Sequence, residues 1–535
     1  MTSKLGTELV QTRADVIQTA ESSFIAFPDL INHQAVSQGQ ALAFICDERS
    51  LSWQGLAQQM SAVSAACAKL GVGAGDKVAL LAGSSLEALS TIFGVIQAGA
   101  CIVPLATSAT SAALVSMLRN SDAKLLVVSY EVFALVKDIR VELELDFAGM
   151  LVAIDFDARG WHHWDEWLGA TDIPRKNSIL PRLTEEHDFN IIYSSGTTGE
   201  PKGILHRHGM RYRQAARRNF GFDTNSVMLL STPLYSNTTL QPMLATLAAG
   251  GLTVLMSKFD VSGYLDLCQR FHVTHTMLVP VQYQRILVHK DFSKTDLSSF
   301  VLKQCTGAPL DTGLKARIRE QWPGRLREIY GMTEGGCTCI LDTDAFPDKL
   351  GTVGLAAPDH DIRIIDDDGC ALAQGEVGEI VGRSPYMMVG YYKQPESTES
   401  FYWRDEYGAV FHRSGDIGRF DKDGFLTLLD RKKDVIISGG FNIYASDLET
   451  VVARHPDVIE VAIIGIPSAQ WGETPLALVV ARPGSFTDAE ALRHWVNEKL
   501  GRNQRLAAVE YRQELPRSAL GKTLKRELRA PYWKS

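Results

Sequence analysis

Short apolar, β-branched runs alternate with helix-period segments over the first 430 or so residues. The run 77–81 (KVALL) predicts a buried strand, and 86–97 carries a helical pattern that Gly99 stops. Strand signals recur at 124–129 (KLLVVS), 150–155 (MLVAID), 253–256 (TVLM) and 276–279 (TMLV). A further one, 190–193 (NIIY), runs straight into a loop rich in Gly, Thr and Ser. Strands alternating with helices predict mostly parallel sheets covered on both faces. From Asp361 the texture shifts to turn-rich short strands (IRIID, DDG, GEIVG), as in a small antiparallel barrel or sheet. After Asp430 it shifts again: 458–466 and 476–481 read as strands. Thr487-Asp488-Ala489-Glu490 reads as a capping box opening a helix with Leu492, Trp495 and Leu500.

Composition narrows the function classes. A chain of 535 residues suits roughly three to four domains. With 54 Lys+Arg against 62 Asp+Glu the net charge is −8, which argues against a general nucleic-acid binder. That average hides an asymmetry: residues 431–535 hold 16 basic and 12 acidic side chains, so they are +4 and the remainder −12. A basic small domain beside an acidic large one would suit a polyphosphate at their junction. Ordinary surface variation explains the charge equally well. Eight Cys in so long a chain read as reduced, partly buried thiols, and the one close pair, Cys337 and Cys339, lacks nearby metal-ligand partners. The longest apolar stretch, 78–105, is interrupted by Glu87 and Gln97, and a spanning helix needs about 20 apolar residues in one run. The N-terminal sequence has no apolar signal region and the C-terminal Trp533-Lys534-Ser535 is no peroxisomal address, so a cytoplasmic protein is expected.

The sharpest local feature is Ser194-Ser195-Gly196-Thr197-Thr198-Gly199 followed by Glu200-Pro201-Lys202-Gly203. Glycines let backbone N–H groups approach phosphate oxygens, small hydroxyls add donors, and Lys202 supplies a compact charge. The spacing is not that of a P-loop. The one Gly-Lys-Thr, at Gly521-Lys522-Thr523, has Pro516 where that motif requires its first glycine.

This loop resembles the phosphate-binding signature of the adenylate-forming superfamily: acyl- and aryl-CoA synthetases, peptide-synthetase adenylation domains and luciferases. Further signatures stand in the same order. Residues 97–105 (QAGACIVPL) resemble the AGA-x-x-VPL segment, Tyr330-Gly331-Met332-Thr333-Glu334 the YG-x-TE motif, and Arg413-Ser414-Gly415-Asp416 the [RT]-[ST]-GD motif. DRKKD at 430–434 with SGGFN at 438–442 is similar to the hinge of fatty-acyl-CoA synthetases, and LPRSALGK at 515–522 to the C-terminal lysine motif. The resemblance covers about residues 50–527. It implies an α/β fold with a large N-terminal AMP-binding domain, 1–430, of two doubly wound α/β subdomains plus a β-rich subdomain. A small, mobile α+β C-terminal domain, 431–535, would follow.

The implied reaction has two halves: a carboxylate attacks the α-phosphorus of ATP to give acyl-adenylate and pyrophosphate, then the thiol of coenzyme A displaces AMP. The loop Ser194–Gly199 and Lys202 would hold the β/γ-phosphates, and Thr198 and Glu334 would place Mg²⁺. Thr333 would face the α-phosphate and Tyr330 would stack on adenine, with Gly331 and Met332 beside them. Asp416 would accept from both ribose hydroxyls, and Arg431 would reach the ribose or the phosphate. Gly307, Ala308 and Pro309 resemble the backbone edge beside adenine and the acyl carbonyl. Glu328, where many relatives carry Asn, would accept from the adenine amino group. Lys522 would bridge carboxylate and α-phosphate, and Lys433 would be the pivot that swings it away. Gly439 and Gly440 would line a pantetheine tunnel. Trp471 would either stack on the CoA adenine or pack into a core.

Tyr235, Ser236 and Asn237 occupy the segment that gates the acid site in the family, with Ser236 in place of the usual His. No Asp lies in 233–241, which disfavours an amino-acid substrate. The expected substrate is a fatty or alicyclic acid. An aryl or cinnamoyl-type acid, or loading of a carrier protein, is the alternative. Expected partners are the small molecules alone, without nucleic acid or membrane, and a homodimer is left open.

Overall fold

The structure, a computed structural model, describes residues 24–147, 150–169, 180–194, 201–216, 221–439, 441–484, 487–501, 504–518 and 521–533. Two large sheets form the frame. The nine-stranded one runs in the order Leu355–Ala356, Thr338–Asp342, Arg325–Gly331, Leu302–Cys305, His275–Leu278, Val227–Leu230, Leu252–Leu255, Leu42–Cys46, Arg49–Ser52. Its strands from Arg325–Gly331 to Leu42–Cys46 are parallel. The eight-stranded sheet runs Gly390–Tyr391, Lys202–Arg207, Asp188–Ser194, Cys101–Pro104, Lys77–Leu81, Ala123–Val128, Leu151–Ala153, His162–His163. It is parallel from Asp188–Ser194 onward and antiparallel at the other edge.

The helix Leu86–Gln97 lies in the core that the two sheets share, which is why its sequence is apolar nearly all round. In Leu86–Gln97 every residue but Glu87 is buried, and its start is fixed by Ser85, whose Oγ accepts from the Ala88 N–H at 3.1 Å. Gly94 lets it close on the helix Trp53–Lys69: a Cβ there would lie 2.4 Å from Val63 Cβ. Side chains of both sheets and both helices share one core, including Phe44, Val78, Phe93, Met228 and Leu255.

Residues 361–431 form the expected antiparallel sheet, with Asp361–Ile365, Gly378–Arg383, Val410–Phe420, Tyr402–Arg404 and Leu426–Arg431. A small α+β domain follows, in the order Phe441–Ile443, Ile436–Ser438, Gly472–Ala481, Val458–Ser468. Ala508–Arg512 lies parallel to Gly472–Ala481. Its helices Ala445–Val452 and Ala489–Asn497 bury Leu448, Val452, Leu492 and Val496 against that sheet. The capping box moves by one residue: Asp488, not Thr487, is the cap, because its carboxylate accepts from the Glu490 and Ala491 N–H groups at 2.8 and 3.1 Å. The Thr487 hydroxyl turns to Asp457, and Leu500 lies beyond the helix end. Cys337 and Cys339 are buried in the core of the β-rich sheet, and Cys370 is exposed. Among the described residues no helix is long and apolar enough to cross a membrane.

Candidate active site

A cleft of about 880 Å³ opens at the carboxyl ends of the parallel strands, the usual place for a ligand in a wound sheet. Its walls take Met277, Gly307 and Ile329 from the nine-stranded sheet and its loops, and Ser194, Lys202 and Tyr391 from the eight-stranded one. The β-rich sheet adds Glu379, Arg413 and Ser414, and the C-terminal domain adds Lys522.

Ser194 and Lys202 face each other across an antiparallel hairpin. Of the expected phosphate loop, Ser195, Gly196, Thr197, Thr198 and Gly199 lie outside the described residues. Beside the hairpin, Gly390–Tyr391 pairs with Ile204 and Leu205 and so carries Tyr391 into the site. The Lys202 ammonium sits 4.8 Å from the centre of the Tyr391 ring, a cation–π distance. The Tyr391 hydroxyl donates to Glu334 Oε1 at 2.9 Å. Desolvation pushes the Glu334 carboxyl above its ordinary value, against the lowering effect of that hydrogen bond and of Arg431 and Lys202.

Two glycines shape the turn after Glu334. Gly335 has φ +75°, and a Cβ on it would lie 2.0 Å from the Tyr386 carbonyl oxygen. Gly335→Ala is therefore expected to cost at least ~1 kcal/mol from the left-handed backbone alone, and more from the clash. A lowered Tm would show that the backbone of this turn cannot yield to the added methyl. An unchanged Tm would show that the turn relaxes freely.

A second group gathers around Asp416. The Tyr330 hydroxyl donates to Oδ2 at 2.7 Å and Arg431 Nε meets Oδ1 at 2.6 Å, because Asp416 and Arg431 are register partners on adjacent strands. Next in the chain, Lys432 is held by Asp367 at 2.8 Å and Glu379 at 3.2 Å, both in the large domain. The carbonyl of Lys433 instead accepts from Arg529 of the C-terminal helix Lys525–Arg529 at 2.9 Å. Two further contacts straddle this junction: Asp430 accepts from the Ala445 N–H at 2.6 Å, and the Ser446 hydroxyl donates to the Leu429 carbonyl.

Lys522 reaches the cleft on a turn seated against the large domain, where a Cβ on Gly521 would lie 2.8 Å from Val281 Cγ1. The turn is braced by Arg517, which donates to the Gly521 carbonyl at 2.7 Å. The residue is exposed overall, but its ammonium shares the cleft with other cations. Desolvation and then the Arg431 charge pull it down to about 8.

Several expected residues stand elsewhere. Glu328 is the clearest correction: it is 3% exposed, ion-paired to the equally buried Lys315 at 2.5 Å, and accepts from the Leu310 N–H at 2.9 Å. A carboxylate driven into the core needs a cation beside it, and that demand turns Glu328 away from an adenine contact. Ser236 and Asn237 line the cleft, whereas Tyr235 does not and its hydroxyl lies 3.5 Å from Ser108 Oγ. Gly307 lines it, Ala308 and Pro309 do not. Gly439 and Trp471 form a separate group on the small domain, with the Gly439 N–H donating to the Trp471 carbonyl at 2.8 Å. Trp471 is 52% exposed, so the core-packing alternative fails for it. Gly440 lies outside the described residues.

One part of the site was not anticipated. His206 Nε2 donates to the Thr333 carbonyl at 2.8 Å. Its Nδ1 therefore accepts, from Arg211 at 3.1 Å and from Asn190 Nδ2 at 3.2 Å. Arg211 is fully buried and also donates to Asn190, Gln214 and Asn237 at 2.8, 2.9 and 2.7 Å. Burial holds His206 well below its usual value and pulls Arg211 down to about 9. No local pattern marked it, since Arg211 stands in the basic run 206–213.

Comparison with known proteins agrees with this geometry. Residues 31–392 match the family model of the AMP-binding enzymes, and 447–522 match that of the AMP-binding enzyme C-terminal domain. A feruloyl-CoA synthase of Amycolatopsis sp is 32% identical over 490 residues, covering 90% of this chain and 94% of that protein. The long-chain-fatty-acid–CoA ligase FadD13 of Mycobacterium tuberculosis is 30% identical over 488 residues, covering 89% and 92%. The crystal structure of ATP-bound MatB from Rhodopseudomonas palustris superposes with a TM-score of 0.84 at 27% identity, covering 95% of this chain and 99% of that one. The chain belongs to the AMP-binding enzyme family, within the adenylate-forming superfamily, and is an AMP-forming ligase.

Proposed function

We propose that the protein activates a carboxylic acid with ATP and passes the acyl group from its adenylate to coenzyme A. The observation that carries this is the position of Lys522, held by a turn of the small domain in the cleft that Thr333, Glu334 and Arg431 also line. An anion attacking a polyanion needs positive charge where the transition state gathers negative charge, and Lys522 brings it there. Lys202 and the loop that begins at Ser194 hold the outer phosphates. Thr333 faces the α-phosphate, its carbonyl fixed by His206. Tyr330 stacks on adenine, while Asp416, oriented by Tyr330 and Arg431, takes the ribose. Gly307 borders the acyl carbonyl.

The residues fit Mg²⁺ carried in on the nucleotide. Such an ion would be held by one or two carboxylates together with the substrate's phosphates. Glu334 offers a carboxylate whose ionised form burial disfavours and a cation would restore, with Thr198 as its companion. When bound, the ion would neutralise charge on the phosphates. Lys433 serves as the pivot between a large domain ending at 430 and a small domain from 431. Gly439, Gly440 and Trp471 then receive CoA, and that Gly439 and Trp471 stand apart from the cleft lining suits a second half-reaction on another face. The cytoplasmic location is part of the same proposal.

The acid is proposed to be fatty or alicyclic on the hinge sequence, or aryl, the class that the feruloyl-CoA synthase relative favours. The test mixes the protein with ATP, Mg²⁺ and a panel of aliphatic, alicyclic and aryl acids, and follows pyrophosphate with and without CoA. Release that CoA accelerates, with AMP and thioester in equal amounts, is expected. No pyrophosphate with any acid would remove the proposal, and turnover indifferent to CoA would redirect it to another acceptor.

A further inference from the structure

Arg211 carries a full charge in a fully buried position, and among the described residues it has no carboxylate partner. A guanidinium has donors and no acceptor. Every atom turned toward it must therefore accept, which settles the orientation of three amides, Asn190 and two at the cleft. The Gln214 Oε1 and Asn237 Oδ1 atoms both take hydrogen bonds from Arg211 Nη1, so their NH₂ groups point elsewhere. Both residues line the cleft, and among the described residues neither amide nitrogen has a hydrogen-bond partner. The lining of the cleft also includes Met210, Met277 and Ile340, which suit a hydrocarbon body. The cleft thus combines apolar surface with two amides whose N–H donors are turned away from Arg211 and have no partner among the described residues, and a positive charge beside them.

Building on the ligase proposal above, we propose that the acid bears an oxygen acceptor (carbonyl, ether, hydroxyl or carboxylate) on its acyl portion, held by the amide donors of Gln214 and Asn237, which Arg211 orients. A plain alkyl chain would leave both donors desolvated and unpaired, and a cationic group would meet the field of Arg211. Arg211 is then a positioning residue: it acts on specificity through the two amides.

The test uses three matched pairs of acids with ATP, Mg²⁺ and CoA: octanoate and 7-oxooctanoate, cyclohexanecarboxylate and 4-oxocyclohexanecarboxylate, 3-phenylpropanoate and 3-(4-methoxyphenyl)propanoate. The oxygenated member of at least one pair is expected to be favoured in kcat/KM by about tenfold or more. Gln214→Glu and Asn237→Asp keep an acceptor for Arg211 and remove the donor, so each should lower that ratio about tenfold, toward or below one. A side chain that merely supports packing would leave the ratio alone. Equal or reversed preference in all three pairs overturns the inference while the ligase proposal stands, and so does an unchanged ratio in both variants. No pyrophosphate from these acids or from the broader panel removes the ligase proposal and this inference with it.

Discussion

Lys522→Ala is expected to slow pyrophosphate release by about a hundredfold or more, the usual effect of removing a charge-stabilising group from a transition state. Thioester formation from supplied acyl-AMP and CoA should change far less, because the α-phosphate has already been attacked. The two rates are measured separately, one by pyrophosphate and one by thioester. Equal losses would mean that Lys522 serves the fold or both steps alike. A pH profile gives a second, independent reading. An ammonium held down to about 8 is charged below that pH and neutral above it. The kcat/KM of the first half-reaction should accordingly fall as pH rises through about 8, since that quantity reports the free enzyme. Lys522→Arg should remove that limb even if its rate is lower, because arginine stays charged throughout. A limb that persists in the arginine variant would belong to another group.

The largest stability effect is expected at Lys315 and Glu328. Each is 3% exposed, so truncating one leaves the other buried and without its counter-charge. Lys315→Met alone, or Glu328→Leu alone, should cost about 3–5 kcal/mol, while the double replacement should recover most of that loss. Urea denaturation of the four proteins measures the cycle. Additive losses would show that the two charges do not depend on each other. Desolvation holds the Glu328 carboxyl above its ordinary value despite Lys315, so the pair is under electrostatic stress even when complete.

That pair also marks where the sequence stopped being readable. Glu328 precedes a recognisable motif by two positions, and position alone suggested a ligand contact. Its partner sits on the helix Thr312–Gln321, in no local pattern with it, so only packing shows that they meet. Arg211 escaped notice for a related reason: HRHGMRYR looks like a basic surface until the helix His208–Ala216 folds under the cleft. By contrast, the alternation of strands and helices and the change of texture at Asp361 came through to within a few residues, although 150–155 shrank to Leu151–Ala153 and 476–481 grew to Gly472–Ala481. So did the helix Leu86–Gln97. Periodicity and caps are properties of neighbours in the chain. Ser194, Lys202, Thr333, Glu334, Arg431 and Lys522 were legible because each lies inside a short ordered motif, and the fold brings all six to one cleft. Tyr391, which links Lys202 to Glu334, carries no such mark.

The anchoring of Lys432 and Lys433 has a mechanical corollary. Consecutive residues are moored to opposite bodies, one by Asp367 and Glu379, the other through Arg529. The swing proposed for the small domain would then turn on the peptide between them, like torque on a single axle. The Asp430–Ala445 and Ser446–Leu429 hydrogen bonds cross that axle and would have to part for it to turn, at about 1 kcal/mol each. They act as a detent. The structure has Lys522 in the cleft, so on the proposed reaction it is set for the nucleotide before the thiol, and leaving that setting would be a step with its own threshold.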